Sequence, residues 1–455
     1  MSESSQRAAE TRTHPRGHLL RVLGVAFGIA VTVGNTIGAG LLRTAGDVAK
    51  QLPDSKWFLG VWALGGVLAI LAAFSLAELA TRIPRSGGHF VFIRKALGDY
   101  PGFVIGWTDW LSNCSTTSTV SIVVGEYMGR LIRGMAPYGN WVAIAVVIGF
   151  GVLHWFGVRV GAGFQNLTTA IKAFGFFALI AACFIFAGNA APATPPSALM
   201  LPTGTGLLLA LVLSTQAIIY TYDGFAGIIY FGDETKDPRR DIPKSIFGGT
   251  LLIIAIYLLT NAAIVRVLPI SAVVGSNLAI GDAAQALWGS RALTMIEILI
   301  VVSLLAALNA YPMIASRILY TLGHDGLFWR AVDRVNEKGT PHIALVFCTV
   351  LSVLFILWAK TLETVLALTA FFFACNYAGD MIALLVIRRR DPRTADVYRA
   401  WGFPVTTVIV LAVYVAFLFG SLRFDWANAR WSLLLLVATY PVFWLARRHN
   451  RNSAE

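Results

Sequence analysis

The sequence predicts an all-α polytopic membrane protein of twelve transmembrane helices, two of them unwound near the bilayer midplane. Three observations carry this. The 455 residues are 57% hydrophobic and only 13% charged, against about 25% charged in soluble domains. Apolar runs of about 20 residues, enough to cross a bilayer as helix, recur along the whole chain, with no barrel-like alternation. The first and sixth of these runs are interrupted by glycine.

The runs fall near residues 20–48, 57–82, 103–131, 138–158, 161–188, 207–231, 246–268, 292–320, 341–359, 364–387, 403–422 and 430–447. The first contains V-G-N-T-I-G-A-G-L-L-R-T-A-G, with Gly34, Gly38 and Gly40 within seven residues. Glycine inside a helix costs about 1 kcal/mol relative to alanine, so a plain lipid-crossing span has no use for three. The expectation is a helix that stops near Val33 and restarts near Leu41. Its freed backbone groups would face a polar cavity, because hydrocarbon cannot satisfy them. The restarted half would turn its N-terminal amides toward a carboxylate. Close packing against a neighbouring helix is the competing explanation for small residues here.

The sixth run carries Asp223-Gly224, with Gly227 close behind. Asp-Gly is a turn signal, and mid-span it reads as a second break. Spans one and six are an odd number apart, so copies starting at each have opposite topology. This is the pattern of an inverted repeat that holds its ligand between two broken helices.

The remaining elements follow in order. Residues 1–18 are polar with both charge signs and lack an apolar stretch or cleavage site, so they read as a disordered tail. The four cysteines (Cys114, Cys183, Cys348, Cys375) all lie inside spans, which suggests neither disulfides nor a metal site; no cofactor is expected. The net charge of +12 does not point to nucleic acid. With the N-terminus placed in the cytoplasm, only nine of the 36 lysines and arginines fall outside, and Arg43 and Lys172 lie within spans. That asymmetry is the positive-inside rule and puts both termini in the cytoplasm. After the second span, P-R-S-G-G reads as a basic loop and F-V-F-I-R-K-A-L-G as an interfacial helix. The polar run S-N-C-S-T-T-S-T at 112–119 is expected to line a cavity in preference to bonding neighbouring helices. Lys172 stands alone in the fifth span, about eleven residues from either end. A lysine at that depth costs at least ~2.5 kcal/mol, which makes a functional role the default. A desolvated amine can also carry a proton. Asn309 and Tyr311 lie mid-span in the eighth, where Pro312 should kink the helix. Asp380, two turns from Arg388 in the tenth, reads as that arginine's ion-pair partner. The last two spans carry no intramembrane charge and read as scaffold or as a homo-oligomer contact. No paired carboxylates, nucleophile triad or metal-ligand cluster suggests an enzyme.

These motifs resemble those of the amino acid–polyamine–organocation (APC) superfamily of permeases, in its amino-acid transporter branch. G-N-T-I-G-A-G-L-L resembles its first-span glycine signature and A-E-L-A-T-R-I-P-R-S-G-G-H-F-V-F-I its second-span exit. Y-D-G-F with D-E-T-K-D-P-R-R-D-I-P is similar to its sixth-span exit, and S-R-I-L-Y-T-L-G-H-D-G-L-F to that of the eighth. The resemblance covers about residues 19–390. It implies a five-plus-five inverted-repeat core over 19–390, shared with sodium-coupled transporters, followed by helices 11 and 12 and a cytoplasmic C-terminus over 391–455. It implies a secondary active carrier of amino acids, multi-pass in the plasma membrane (the inner membrane in a bacterium) and working by alternating access. A polyamine or cationic amino acid carrier is the alternative, because Asp223 is acidic where some branches carry a small residue.

Residue by residue, the resemblance implies that the substrate carboxylate meets the amides of Ala39, Gly40 and Leu41. The α-amino group would meet carbonyls at Thr36, Tyr220, Thr221 and Asp223, with Tyr220 as an aromatic gate. Asn113, Thr117 and Tyr311 fall at side-chain pocket positions. Lys172 falls where a lysine replaces sodium in many members, implying proton coupling or sodium-independent exchange. Ala39 stands where serine is frequent, and Ala307 where a hydroxyl often meets the lysine, which leaves Ser303 as a candidate partner. Arg43, one turn into the outer half-helix, is a candidate gate pairing with Glu363 or Asp223. If Glu363 is the partner, exchanging the two residues should partly restore the uptake lost on changing either alone; absence of rescue in a transport assay would rule that pairing out.

Overall fold

The computed structural model describes residues 18–189, 200–358, 362–392, 397–424 and 426–452. The expected disordered tail falls, apart from His18, outside these residues. The described chain is helical throughout apart from turns and two isolated bridges. Its helices are α1 (Val25–Thr36), α2 (Ala39–Gln51), α3 (Ser55–Arg82), α4 (His89–Leu97), α5 (Asp99–Leu131), α6 (Gly139–Trp155), α7 (Val158–Phe186) and α8 (Thr205–Tyr222). After two short 3-10 turns follow α9 (Pro238–Val267), α10 (Ile270–Val273), α11 (Ala279–Trp288), α12 (Ser290–His324), α13 (His342–Trp358), α14 (Leu362–Arg390), α15 (Val405–Phe424) and α16 (Trp426–Asn452).

Among the described residues, nine helical segments are long and apolar enough to cross a membrane by themselves. The other three expected spans fall short for visible reasons. The first is cut into α1 and α2. The third, α5, carries the serine–threonine run. The ninth, α13, is 17 residues long.

The first break comes later than expected and is shorter. Helix α1 runs to Thr36 and α2 begins at Ala39, so only Ile37 and Gly38 interrupt it. The three glycines do different jobs. Gly34 is still helical, and a Cβ there would sit 1.9 Å from Gln165 Nε2 on α7; this is close packing. Gly40, in the first turn of α2, leaves room for Thr221 on α8, which a Cβ would meet at 3.3 Å. Only Gly38 lies in the break, with open space where a side chain would be. Both readings of the glycine cluster therefore hold, at different residues.

The second break begins at Asp223 as expected. Gly224 has φ +94°, a backbone that side-chain-bearing residues rarely adopt, and a Cβ there would press on Asn35 Nδ2 at 2.6 Å. Beyond it the chain does not restart as an α-helix. It descends through 3-10 turns at Gly227–Tyr230 and Gly232–Glu234 before α9 begins at Pro238.

The packing brings both breaks to the centre. α1 lies against α7, α9 and α12, α2 against α8, α3 against α9, and α5 against α12. Two expectations about ionisable and polar groups are corrected here. Asp380 does not pair with Arg388; it pairs with His89 Nδ1 at 2.5 Å. Arg388 instead turns to Glu78 on α3, which also holds Arg82 Nε at 2.8 Å and the Ala400 amide at 2.7 Å. The buried Glu78 outcompetes Asp380 because it can be served by two guanidinium groups at once. The run 112–119 bonds mainly to its own helix and its neighbours. Ser118 donates to Ser352 O at 2.7 Å, Ser352 donates to Cys114 O at 3.0 Å, and Ser115 meets Thr369.

At the end of the bundle carrying the Pro84–Gly88 loop, Glu234 and Arg317 form a fully buried bidentate pair (2.8 and 2.9 Å), with the guanidinium over Phe231. It joins the sixth-span exit to α12. Removing one partner strands the other as a buried charge, which costs about 3–5 kcal/mol, whereas replacing both with apolar residues is often near neutral. Arg317→Leu should therefore lower thermal stability in detergent sharply, and Arg317→Leu with Glu234→Leu should recover most of it. Equal losses in the single and double variants would show that the pair's charges are not what matters there.

Candidate functional site

The break in α1 creates a problem that the surrounding helices solve. The last carbonyls of a helix have no intrahelical partner, and inside a membrane water cannot supply one. Here each finds a donor. Val33 O accepts from the Ile37 amide at 3.0 Å. Gly34 O and Ile37 O both accept from Lys172 Nζ, at 3.1 and 2.5 Å. Asn35 O accepts from the Tyr311 hydroxyl at 3.2 Å. Thr36 O accepts from the Tyr257 hydroxyl at 2.9 Å, and Ile37 O also accepts from Ser303 Oγ at 3.0 Å. Donors on α7, α9 and α12 thus converge on four successive carbonyls, Gly34 to Ile37.

Lys172 is completely buried, and its position in the fifth span now has a geometric meaning. It reaches the break itself, at Gly34 O and Ile37 O. Ser303, the expected partner for want of a hydroxyl at Ala307, shares the Ile37 carbonyl with it. Tyr257 was not anticipated. Its hydroxyl also lies 2.9 Å from Thr221 O at the second break. One hydroxyl proton serves one carbonyl at a time, so either Thr36 O or Thr221 O retains full capacity for an incoming N–H. At the other side of the break, the first turn of α2 has no side-chain cap, so its amides are not taken by a capping side chain.

A small cavity lies between the breaks. It has about 20 Å³ of room for water centres, enough for one or two waters, so a larger ligand enters only when its walls part. Asn113, Asp223 and Tyr311 are among the expected site residues that line it, together with Asn35, His89, Gly224, Tyr230, Phe373 and Tyr377. Among the described side chains, Thr36, Gly40, Leu41, Thr117, Tyr220 and Thr221 are not on its wall. Tyr220 borders an adjacent cavity that shares Asp223, Phe373 and Tyr377. Thr117 Oγ1 donates to Asn113 O at 2.8 Å and so shapes the wall from behind. Thr221 bonds Thr44 on α2 through the two hydroxyls at 2.8 Å, tying the two broken helices together. The side chains of Ala39, Arg43 and Glu363 lie outside the described residues, so the gate expected of Arg43 does too.

Sequence reasoning missed the acidic wall behind the cavity. Tyr230 donates to Asp109 Oδ2 at 2.9 Å and Asn113 to Asp109 Oδ1 at 3.0 Å, and the His89–Asp380 pair stands beside them. Asp109 carried a usable signal, since a carboxylate within the third span is functional by default. His89 carried none beyond following the S-G-G turn.

Comparison with known proteins fits this geometry. The profile of the amino acid permease family matches residues 19–444. The serine/threonine exchanger SteT of Bacillus subtilis is 26% identical over 441 residues, 94% of this chain and 97% of its own length. The b(0,+)-type amino acid transporter 1 of Mus musculus is 25% identical over 86% of this chain and 80% of its own. The branched-chain amino acid permease BcaP of Bacillus subtilis is 23% identical, over 95% and 94% respectively.

The glycine geometry gives a test that separates packing from ligand approach. At Gly38 a methyl group meets nothing within 4 Å, so Gly38→Ala should fold like the parent and lose transport only if something approaches that backbone. At Gly34 a methyl group displaces Gln165, whose Nε2 donates to Ala30 O at 3.2 Å and whose Oε1 accepts from Asn309 Nδ2 at 2.6 Å, a loss of about 1–3 kcal/mol. Melting temperature should fall for Gly34→Ala and hold for Gly38→Ala. Full uptake by Gly38→Ala would remove the break as a place of ligand approach.

Proposed function

The chain belongs to the amino acid permease family, and from that premise we propose that it is a secondary active carrier of amino acids working by alternating access between two broken helices. The observation that carries this reading is the array of carbonyls at the first break, held by Lys172, Tyr257, Tyr311 and Ser303 beside a cavity lined by Asp223. A plain structural helix would not leave four carbonyls to be satisfied from three other helices. In this reading the twelve helices form a five-plus-five core over 19–390, with the last two outside it. The like pairing of α3 with α9 and α5 with α12 supports that arrangement, since these are the second and third spans of each repeat against their counterparts. Both termini would lie in the cytoplasm.

Within the site, the substrate carboxylate would take the uncapped amides of Ala39, Gly40 and Leu41. Its ammonium would take the carbonyls of Thr36, Tyr220 and Thr221 together with Asp223. Asn113, Thr117 and Tyr311 would bound the side chain, and Tyr220 would close over it. The carboxylate subsite lies on the first break and the ammonium subsite draws on both, so a bound amino acid would bridge the two repeats and reward their closure. Asp223 on the cavity wall also supports the cationic alternative, because a second ammonium or guanidinium would be drawn to it. Counterflow in proteoliposomes with neutral, branched and dibasic amino acids decides between them. No exchange of any amino acid would overturn the carrier reading.

Lys172 is the proposed coupling residue. Charged, it grips Gly34 O and Ile37 O and fixes the end of α1; uncharged, it loosens that grip, so one proton biases a two-position element. Lys172→Ala should bind substrate within about tenfold of the parent yet lose the pH dependence of uptake. An unchanged uptake rate and pH profile in Lys172→Ala would reduce the lysine to a structural donor.

A further inference from the structure

His89 opens α4, and its ring is 4% exposed. It was no part of the expected site, yet it lines the central cavity together with Asp223. Its Nδ1 is bound to Asp380 at 2.5 Å. The edges of Tyr230 and Tyr377 hold the ring from two sides, with centroids 5.6 and 5.2 Å away. Asp380 gives this ring one oxygen and, among the described residues, has no partner for the other. Asn35 Oδ1, also on the cavity wall and buried, has none either. The site is therefore richer in acceptors than in donors, and a buried acceptor without a donor is costly.

From this geometry we propose that His89 is a proton-binding site of the substrate cavity, separate from Lys172, and that the substrate's ammonium and the His89 proton compete for the same carboxylates. The proposal rests on the reading of this cavity as the substrate site. The groups that act on the ring come from every side: Asp380 and Tyr377 from α14, Asp109 from α5, Asp223 from the second break and Tyr230 from the turn below it. The charged ones are all acidic. Burial disfavours the charged ring, but Asp380, Asp109 and Asp223 outweigh it and raise its pKa to about 9. An imidazolium so placed offsets part of the negative charge that would attract an ammonium. When the ammonium arrives beside Asp223, the two cations repel and the proton is held less tightly. Linkage makes this reciprocal: losing the proton strengthens ammonium binding by the same factor. The hydrogen bond to Asp380 fixes the ring's orientation, which makes Asp380 a positioning residue for the proton.

The test uses the purified full-length protein with its seven histidines labelled with ¹⁵N, titrated by NMR in detergent. One imidazole should titrate well above the ordinary value of about 6.5, and its signal should be missing in His89→Gln. Asp380→Asn should move that midpoint down by roughly one to three units, while Lys172→Ala should leave it in place. Addition of L-serine or L-arginine to weakly buffered protein should release protons from the parent and not from His89→Gln. If His89→Gln does not fold, the parent titration and its shift in Asp380→Asn carry the test. An ordinary midpoint for His89, or one indifferent to Asp380→Asn, overturns the proton site. The expected titration with no counterflow of any amino acid overturns instead the transport reading and leaves the proton site standing.

Discussion

The constraint on which this structure depends is that a helix broken inside a membrane must have its backbone satisfied by protein. Five carbonyls between Val33 and Ile37 are freed or weakened by the break, and hydrocarbon offers them nothing. The Ile37 amide serves the first of them and the donors of the other four come from α7, α9 and α12, so those helices can sit nowhere else without leaving polar groups bare. Lys172, expensive at this depth, is tolerated because two carbonyls accept from its amine, and Tyr257 is placed where it can reach both breaks. The same bonds that stabilise the break tie it to three helices distant in sequence.

A second regularity concerns where buried charge is paired. Toward the end of the bundle that holds the Pro84–Gly88 loop, carboxylates meet guanidinium groups: Glu234 with Arg317, Glu78 with Arg82 and Arg388, and Asp325 with Arg85 and Arg94. Around the central cavity, Asp109, Asp223 and Asp380 share one imidazole and a set of tyrosine and asparagine donors. These ion pairs, bidentate for Glu234–Arg317 and Glu78–Arg388, fix the side chains at that end of the bundle. The centre keeps unused acceptor capacity, which suits a region that receives a cationic group and releases it again.

Much of this was legible because it is local. Apolar run length exposes the spans, Asp223-Gly224 announces its own turn, and a lone Lys172 at span centre signals cost and hence purpose. Even the quoted exit motifs proved to be partners, since Glu234 of D-E-T-K meets Arg317 of S-R-I-L-Y. What was misread was misread for lack of a third dimension. Asp380 and Arg388 are close in sequence, but Glu78, three hundred residues earlier, offers the arginine a better-served carboxylate, and His89 offers the aspartate a nearer cation. The polar residues of 112–119 look alike on paper, yet Asn113 lines the cavity while Ser115 and Ser118 turn to α14 and α13 and Thr117 bonds its own helix backbone.

The sequence by itself determined the class of the protein, the number and rough limits of its expected spans, the existence of two breaks and the residue that must serve one of them. These follow from chain length, hydropathy and the cost of glycine or charge inside a helix, all of which act within a turn or two. The tertiary structure decided which carbonyl each donor takes, which glycine is for packing and which for the break, and that His89 faces the cavity with Asp109 and Asp380 behind it. Those outcomes depend on distances between helices far apart in the chain, where a shift of one ångström exchanges a hydrogen bond for an orphaned polar group.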